Sequence, residues 1–281
     1  MFTVAQISDT HLGARTALFR TNFENMARAL SEVPPDLLIA TGDVSLDGAD
    51  TEADLAFAAE SFRCLPGPVL SVPGNHDVGD HPERAIHQPV NAERLARFRR
   101  HMGQDHWVVD RAGWRLLGLN SQVMGSNLAE EAAQLAFITA QLETLGERRL
   151  AVFLHKPFFV SDAADQTFDY WSVPPFARPA LAPLFTHRAL RLVASGHLHV
   201  HHMVQRGVAT WAWAPSVGFV VAAGEQPDIP GTRPCGWLRH RFREDSVESE
   251  LVAPPSMERP FIHEVRAEAY PPRPRLANAV G

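Results

Sequence analysis

The chain has 281 residues, 45% of them hydrophobic and 21% charged. That mixture is enough to close a sizeable core, and it excludes a disordered chain, a collagen and a coiled coil. The 26 lysines and arginines are outnumbered by 32 aspartates and glutamates, and the resulting charge of -6 argues against a broad grip on nucleic-acid phosphates, which needs a clustered positive field.

From the N-terminus, residues 2–7 are rich in strand formers, and residues 22–31 place Phe23, Met26, Ala27 and Leu30 at helical spacing. A second apolar run at 37–40 precedes a helical stretch over 52–63, with Leu55, Ala58, Ala59 and Phe62 on one side. A third run at 69–72 leads to a helix over 92–101. The pattern then reads strand (115–119), helix (130–145), strand (150–154) and strand (191–194). Strands separated by helices of about 10 to 15 residues predict βαβ units and largely parallel pairing.

After His199 the texture changes. Residues 203–206, 208–213, 219–222, 236–243 and 247–252 read as short strands joined by turns, an antiparallel section that closes the fold. Residues 156–180 carry Phe158, Phe159, Phe168, Tyr170, Trp171 and Phe176 without periodicity, and connections of that length are often lids or binding elements. Phe168, Tyr170 and Trp171 are open to two readings, stacking on a nucleobase or packing as a lid or dimer interface. Lys156 is likewise open to two, a contact with a substrate phosphate or a position in solvent. The prolines between Pro254 and Pro274 predict that the tail ends as an extended arm or frays, which sets the boundaries at 1–252 for the domain and 253–281 for a Pro-rich C-terminal extension.

Cys64 and Cys235 are too few for a disulfide framework or a thiolate zinc site, so a reduced, cytoplasmic interior is the expected setting. No apolar run approaches the roughly 18 residues of a membrane span, and the N-terminus does not resemble a signal peptide.

The residues just past the apolar runs carry the chemistry. The first run ends in Asp9-Thr10-His11, the second in Gly42-Asp43 and the third in Gly74-Asn75-His76-Asp77. Residues 150–154 end in His155, and residues 191–195 in Gly196-His197-Leu198-His199. In open α/β sheets the carboxyl ends of the strands are where ligands bind. Strand alternation predicts that Asp9 and His11 point the same way, as do His197 and His199. Gly42, Gly74 and Gly196 stand directly before donors, where a sharp turn or a close backbone approach needs a residue without Cβ. Asp9, His11, Asp43, Asn75, His155, His197 and His199 make seven nitrogen and oxygen donors without sulfur, a set suited to Mn, Fe, Zn or Co. Seven exceeds the needs of one ion, and two ions sharing one carboxylate is the economical arrangement.

These blocks, D-x-H, G-D, G-N-H-D, H and G-H-x-H in that order, resemble the calcineurin-like metallophosphoesterase superfamily, most closely its class III cyclic-nucleotide phosphodiesterases. The resemblance implies an α/β four-layer αββα sandwich with two mixed β-sheets. It implies that Asp9, His11, Asp43 and His199 hold one ion, and that Asp43, Asn75, His155 and His197 hold a second. It further implies that a water between the ions attacks phosphorus while His76 faces the substrate, with Asp77 orienting His76 through its ring. The implied function is hydrolysis of a small phosphodiester, a 3',5' or 2',3' cyclic nucleotide first. A glycerophosphodiesterase, a broad phosphomonoesterase, a nuclease and a non-catalytic scaffold of the same fold are the alternatives. Where relatives carry His-His-Pro-Pro, this chain reads His155-Lys156-Pro157-Phe158. The expected partners are the small substrate and a second copy as a homodimer, with neither membrane nor nucleic acid.

Overall fold

A computed structural model describes residues 1–271. The first half runs β1 (Phe2–Ile7), α1 (Arg20–Glu32), β2 (Leu37–Thr41), α2 (Glu52–Phe62), β3 (Val69–Val72), the single turn α3 (Asn75–Val78), α4 (Ala92–Met102), β4 (Trp107–Arg111) and β5 (Trp114–Leu119). The second half continues α5 (Ala129–Glu143), β6 (Arg149–Leu154), α6 (Arg178–Phe185), β7 (Leu190–Ser195), β8 (His202–Arg206), β9 (Ala209–Trp213), β10 (Trp237–Phe242), β11 (Val247–Val252) and α7 (Ile262–Ala269).

The strands form two mixed sheets, in the order β11-β10-β1-β2-β3 and β4-β5-β6-β7-β9-β8. Parallel pairing joins β1, β2 and β3 in one sheet and β5, β6, β7 and β9 in the other, with antiparallel strands at the margins. The sheets share a core in which Val4, Ile39, Val72 and Leu238 meet Leu116, Phe153, Leu192 and Ala212. Residues of the opposite faces, such as Ile7, Leu38, Leu117 and Val152, join a second core with Phe23 and Met26 of α1, Leu55 of α2, Ile138 of α5 and Leu181 of α6. Strands covered on both faces read as continuous apolar runs, which is why the parallel strands stood out in the sequence. The expected four-layer arrangement is therefore present, and it brings the carboxyl ends of β1, β2, β3, β6 and β7 together.

One polar chain crosses between the sheets beneath that rim. Gln6 donates to Thr41 Oγ1 at 3.0 Å and to the Ser195 carbonyl at 3.2 Å, and its own oxygen lies 3.0 Å from His240 Nε2. His240 Nδ1 is 2.7 Å from Ser249 Oγ.

The structure departs from the sequence reading in three respects. Residues 219–222 form no strand: Val220 makes only an isolated bridge to Phe261, and the Phe219 carbonyl is taken by a histidine ring instead of a ladder. The chain also forms β4, α6 and α7 where no element was expected, each too short or too mixed in composition to show a period. The late strands do not form one antiparallel section, because β8 and β9 join one sheet and β10 and β11 the other. The arm or frayed end expected from the prolines falls largely beyond residue 271, outside the described residues. Up to that point the segment runs back over α1, where Asn22 and Asn25 hold the carbonyls of Glu258 and Ser256.

Candidate metal centre

All seven predicted donors meet at the rim. His199 Nε2 stands 3.2 Å from Asp9 Oδ1 and 3.4 Å from His11 Nε2, which is in turn 3.8 Å from Asp43 Oδ2. On the other side of Asp43, His155 Nε2 lies 3.3 Å from the same Oδ2 and 3.2 Å from Asn75 Oδ1. The ligand atoms of Asp9, His11 and His199 fall within 4.8 Å of one another, as do those of Asp43, His155 and His197, and those of His11, Asp43 and His76. Asp43 thus stands between two donor groups, the position of a shared carboxylate.

The donor set fits divalent cations on more than proximity. Asp9 Oδ1 is buried and accepts no hydrogen bond, an orphan acceptor that a cation would satisfy. Three imidazoles are fixed by backbone carbonyls: His155 Nδ1 on Thr41 at 2.7 Å, His199 Nδ1 on Phe219 at 2.9 Å and His197 Nε2 on Tyr170 at 3.0 Å. A ring that donates one N–H to a carbonyl presents the lone pair of its other nitrogen, so each tautomer is set for ligation. Desolvation pushes His11 and His197 well below the usual histidine range, helped by His76 for the first and His155 for the second, so both stay neutral. Burial also works against a charged His155, but the Asp43 carboxylate prevails and carries it up to about 9. Asp43 is held well below the usual carboxylate range, with burial opposing and His155 and His76 favouring the charge. For Asp43 and His155 to hold a cation, His155 would have to give up that proton.

The local backbone differs from the strand alternation expected for these donors. Asp9, His11, Asp43, His197 and His199 lie beyond the strand ends with φ of 55°, 45°, 49°, 68° and 50°. A left-handed backbone in a residue with a Cβ costs on the order of 1–3 kcal/mol and persists where the surroundings over-determine it. The surroundings here are tight. A Cβ on Gly42, itself at φ 85°, would strike the His155 ring, and one on Gly196 would strike Ser8 and Asp9. The expected close approach at the glycines is thus present, while the common aim of the donors comes from turns and not from pleating.

His76 is half-buried beside the donors, its Nδ1 donating to the Leu46 carbonyl at 2.9 Å and its backbone N–H to Asp43 Oδ1 at 2.8 Å. Asp77 does not orient it. The Asp77 carboxylate accepts from Ser45 N at 2.9 Å, Ser45 Oγ at 2.6 Å and Gly74 N at 2.9 Å, so it staples the Asp43 turn to α3. Asp77 comes directly after His76 on α3 and faces into the protein, where burial and then Asp43 raise it to about 6.

Lys156 takes neither of its expected courses. It is buried, with Nζ 2.8 Å and 2.6 Å from the two Asp80 oxygens and 4.8 Å from the Tyr170 ring centroid. The aromatic trio also separates. Phe168 packs on His81 and Phe176 at 5.0 Å and 5.2 Å, away from the donors. Tyr170 and Trp171 lie against His197, with ring centroids at 4.8 Å and 6.0 Å.

Together with Phe219, Val221, Ile262 and Tyr270, those two rings wall a cavity of about 180 Å³ over the donors. Arg266, which also lines it, is paired with Glu225 at 2.5 Å. Tyr270 packs on His76 at 5.2 Å between ring centroids. The sequence reading missed Tyr270, Arg266 and Asp80. The one visible signal for Tyr270 is that the chain has only two tyrosines, and nothing in the sequence marks Arg266 or Asp80.

A family model described as calcineurin-like phosphoesterase matches residues 2–201, which contain every donor. The chain belongs to the calcineurin-like phosphoesterase family. As a member it is a metal-dependent phosphoester hydrolase, and its Asp/His clusters are compatible with the divalent metals that the family uses. It is 31% identical to the 3',5'-cyclic adenosine monophosphate phosphodiesterase CpdA of Pseudomonas aeruginosa, over 84% of each chain. Against a probable glycerophosphodiester phosphodiesterase of Arcobacter nitrofigilis it is 28% identical, over 91% of this phosphoesterase and 86% of the relative. A dimetal phosphatase from Danio rerio shares the fold with a TM-score of 0.63 at 13% identity, covering 89% of this chain and 95% of that one.

Proposed function

We propose that this phosphoesterase cleaves small phosphodiesters, with 3',5' or 2',3' cyclic nucleotides as the leading substrates and two divalent cations in the seven-donor centre. The observation that carries the diester reading is the charge of the cavity wall. Trp171, Phe219, Val221, Ile262 and Tyr270 are apolar or aromatic, the one arginine among the lining residues is paired with Glu225, and the nearby Lys156 is committed to Asp80. A diester brings one negative charge and carbon-bearing substituents on both sides, which suits such a wall. A monoester dianion brings a second charge for which the wall, among the described residues, offers no uncommitted lysine or arginine.

When bound, two cations neutralise phosphoryl oxygens and lower the pKa of water toward neutrality, which supplies the nucleophile. The residues do the rest. Asp43 couples the two donor groups, and the carbonyls of Thr41, Phe219 and Tyr170 keep the imidazoles aimed. His76, with Nδ1 donating to Leu46, lines the cavity, and as the imidazolium it can give its Nε2 proton to the departing oxygen. Trp171 offers a ring face to a base or sugar.

The phosphodiesterase names of the relatives support this reading. A cavity of about 180 Å³ is too small for a duplex, which speaks against a nuclease. A cytoplasmic setting belongs to the same reading and is supported by the unpaired Cys64 and Cys235. Among the described residues no helix is long and apolar enough to cross a membrane. The test is turnover of cyclic AMP, bis(p-nitrophenyl) phosphate and p-nitrophenyl phosphate by Mn²⁺-loaded protein. Diesters are expected to be cut faster, and activity on the monoester alone would overturn the proposal.

A further inference from the structure

The two tyrosines of the chain reach the metal centre from segments far apart in sequence, and each touches a different donor group. Tyr170 lies between β6 and α6, and its hydroxyl accepts a hydrogen bond from Asn75 Nδ2 at 2.8 Å. That bond leaves Asn75 Oδ1 directed at His155 Nε2, 3.2 Å away, within the group around Asp43, His155 and His197. Tyr270 comes directly after α7, and its hydroxyl stands 3.3 Å from His11 Nδ1. The opposite nitrogen of that ring, Nε2, faces His199 and Asp43 in the other group.

An amide side chain has one oxygen fit for a cation and one nitrogen that is not, so something must choose which end points inward. An imidazole has two nitrogens, and its ligating one is set by what the other bonds. His155, His197 and His199 have backbone carbonyls for this purpose. Asn75 and His11 have a phenol each.

We propose that the tyrosines are positioning residues, one per cation: Tyr170 presents Asn75 Oδ1 to the ion shared with His155 and His197, and Tyr270 sets His11 Nε2 on the ion shared with Asp9 and His199. The proposal rests on the two-cation centre and not on the choice of ester. It ties metal loading to a part of the chain, residue 270, that lies beyond the 2–201 span of the family match.

The test is Mn²⁺ binding to chelator-stripped protein, read by calorimetry and by electron paramagnetic resonance of the bound ion. The unsubstituted chain is expected to bind two Mn²⁺. Tyr170→Phe and Tyr270→Phe keep the rings and remove only the hydroxyls. Each is expected to weaken one of the two binding steps by roughly 10- to 100-fold, the usual effect of losing a group that orients a metal ligand. Asn75→Asp, which presents oxygen whichever way it turns, is expected to restore binding to Tyr170→Phe and not to Tyr270→Phe. A purely structural role would give no such selective rescue. The proposal is overturned if both Phe variants bind two Mn²⁺ as tightly as the unsubstituted chain, or if Asn75→Asp rescues both or neither. An unsubstituted chain that binds fewer than two Mn²⁺ would defeat the two-cation centre itself, and the tyrosine roles with it.

Discussion

Around Asp43 most of the imidazoles are held by main chain: the carbonyls of Thr41, Phe219 and Tyr170 each fix one ring. The outer wall of the cavity is held by side chains. Trp171 leans on His197, Tyr270 on His76, and Arg266 on the partly exposed Glu225. The Thr41 carbonyl ends the packed strand β2, and all three carbonyls belong to the main chain, which moves less freely than a side chain. A ring contact is worth only about 0.5–1.5 kcal/mol and yields readily to a bound molecule. The donor ring is therefore the more firmly held part of the site and the wall the more adaptable part.

That division can be broken at its centre. Asp43→Asn removes the carboxylate common to both donor groups, and activity on any phosphoester is expected to fall by more than about 10⁴-fold, because attack and charge neutralisation fail together. Elemental analysis should show less than two metals per chain, and a variant that keeps both would exclude a shared role. His76→Ala sharpens the contrast from the other side. It is expected to keep both metals and to lower kcat by roughly 10²- to 10⁴-fold, the range for acid–base groups. If metal is lost as well, His76 belongs to the donor ring.

The root of the wall is tested by Lys156→Met, which strands the Asp80 carboxylate in a site where both partners are buried. Urea unfolding is expected to show a loss of about 3–5 kcal/mol. Lys156→Met combined with Asp80→Leu should recover most of it, and an additive double variant would deny the pairing. The smallest effect concerns the sheets beneath both regions. Burial depresses His240 from 6.5 to about 3. A base with a lowered folded pKa favours the neutral form, so its contribution is whole above 6.5 and drains away as pH falls toward 3. The expected slope is about 1.4 kcal/mol per pH unit for the one proton. His240→Gln should flatten urea stability between pH 6 and 4, and an unchanged slope would assign the acid sensitivity to other groups.

The donor ring was legible because each member stands just past an apolar run, and three come after glycines with no room for a Cβ, Gly74 against Asp43 among them. The two sheets were legible for the same reason, since buried parallel strands are apolar throughout. The left-handed turns at Asp9, His11, Asp43, His197 and His199 were not, because that conformation is uncommon outside glycine and the several-fold preference of Asp and His for it is too weak to mark a single position. Asp77 is assigned to His76 by the family resemblance, whereas its oxygens accept from Ser45 and Gly74. Lys156 depends on Asp80, and Tyr270 on His11, 259 positions away. Contacts of that range carry no spacing for a reader to find.

That last separation bears on how the molecule is made. During synthesis Asp9 and His11 emerge first, His197 and His199 come after nearly two hundred residues, and Tyr270 later still. A ribosome-bound chain can finish β1 to β3 and still lack the imidazoles that complete either pocket. Neither pocket is whole until the turn after β7 has been made and docked beside β1 and β2, so cation uptake is expected to follow the pairing of both sheets.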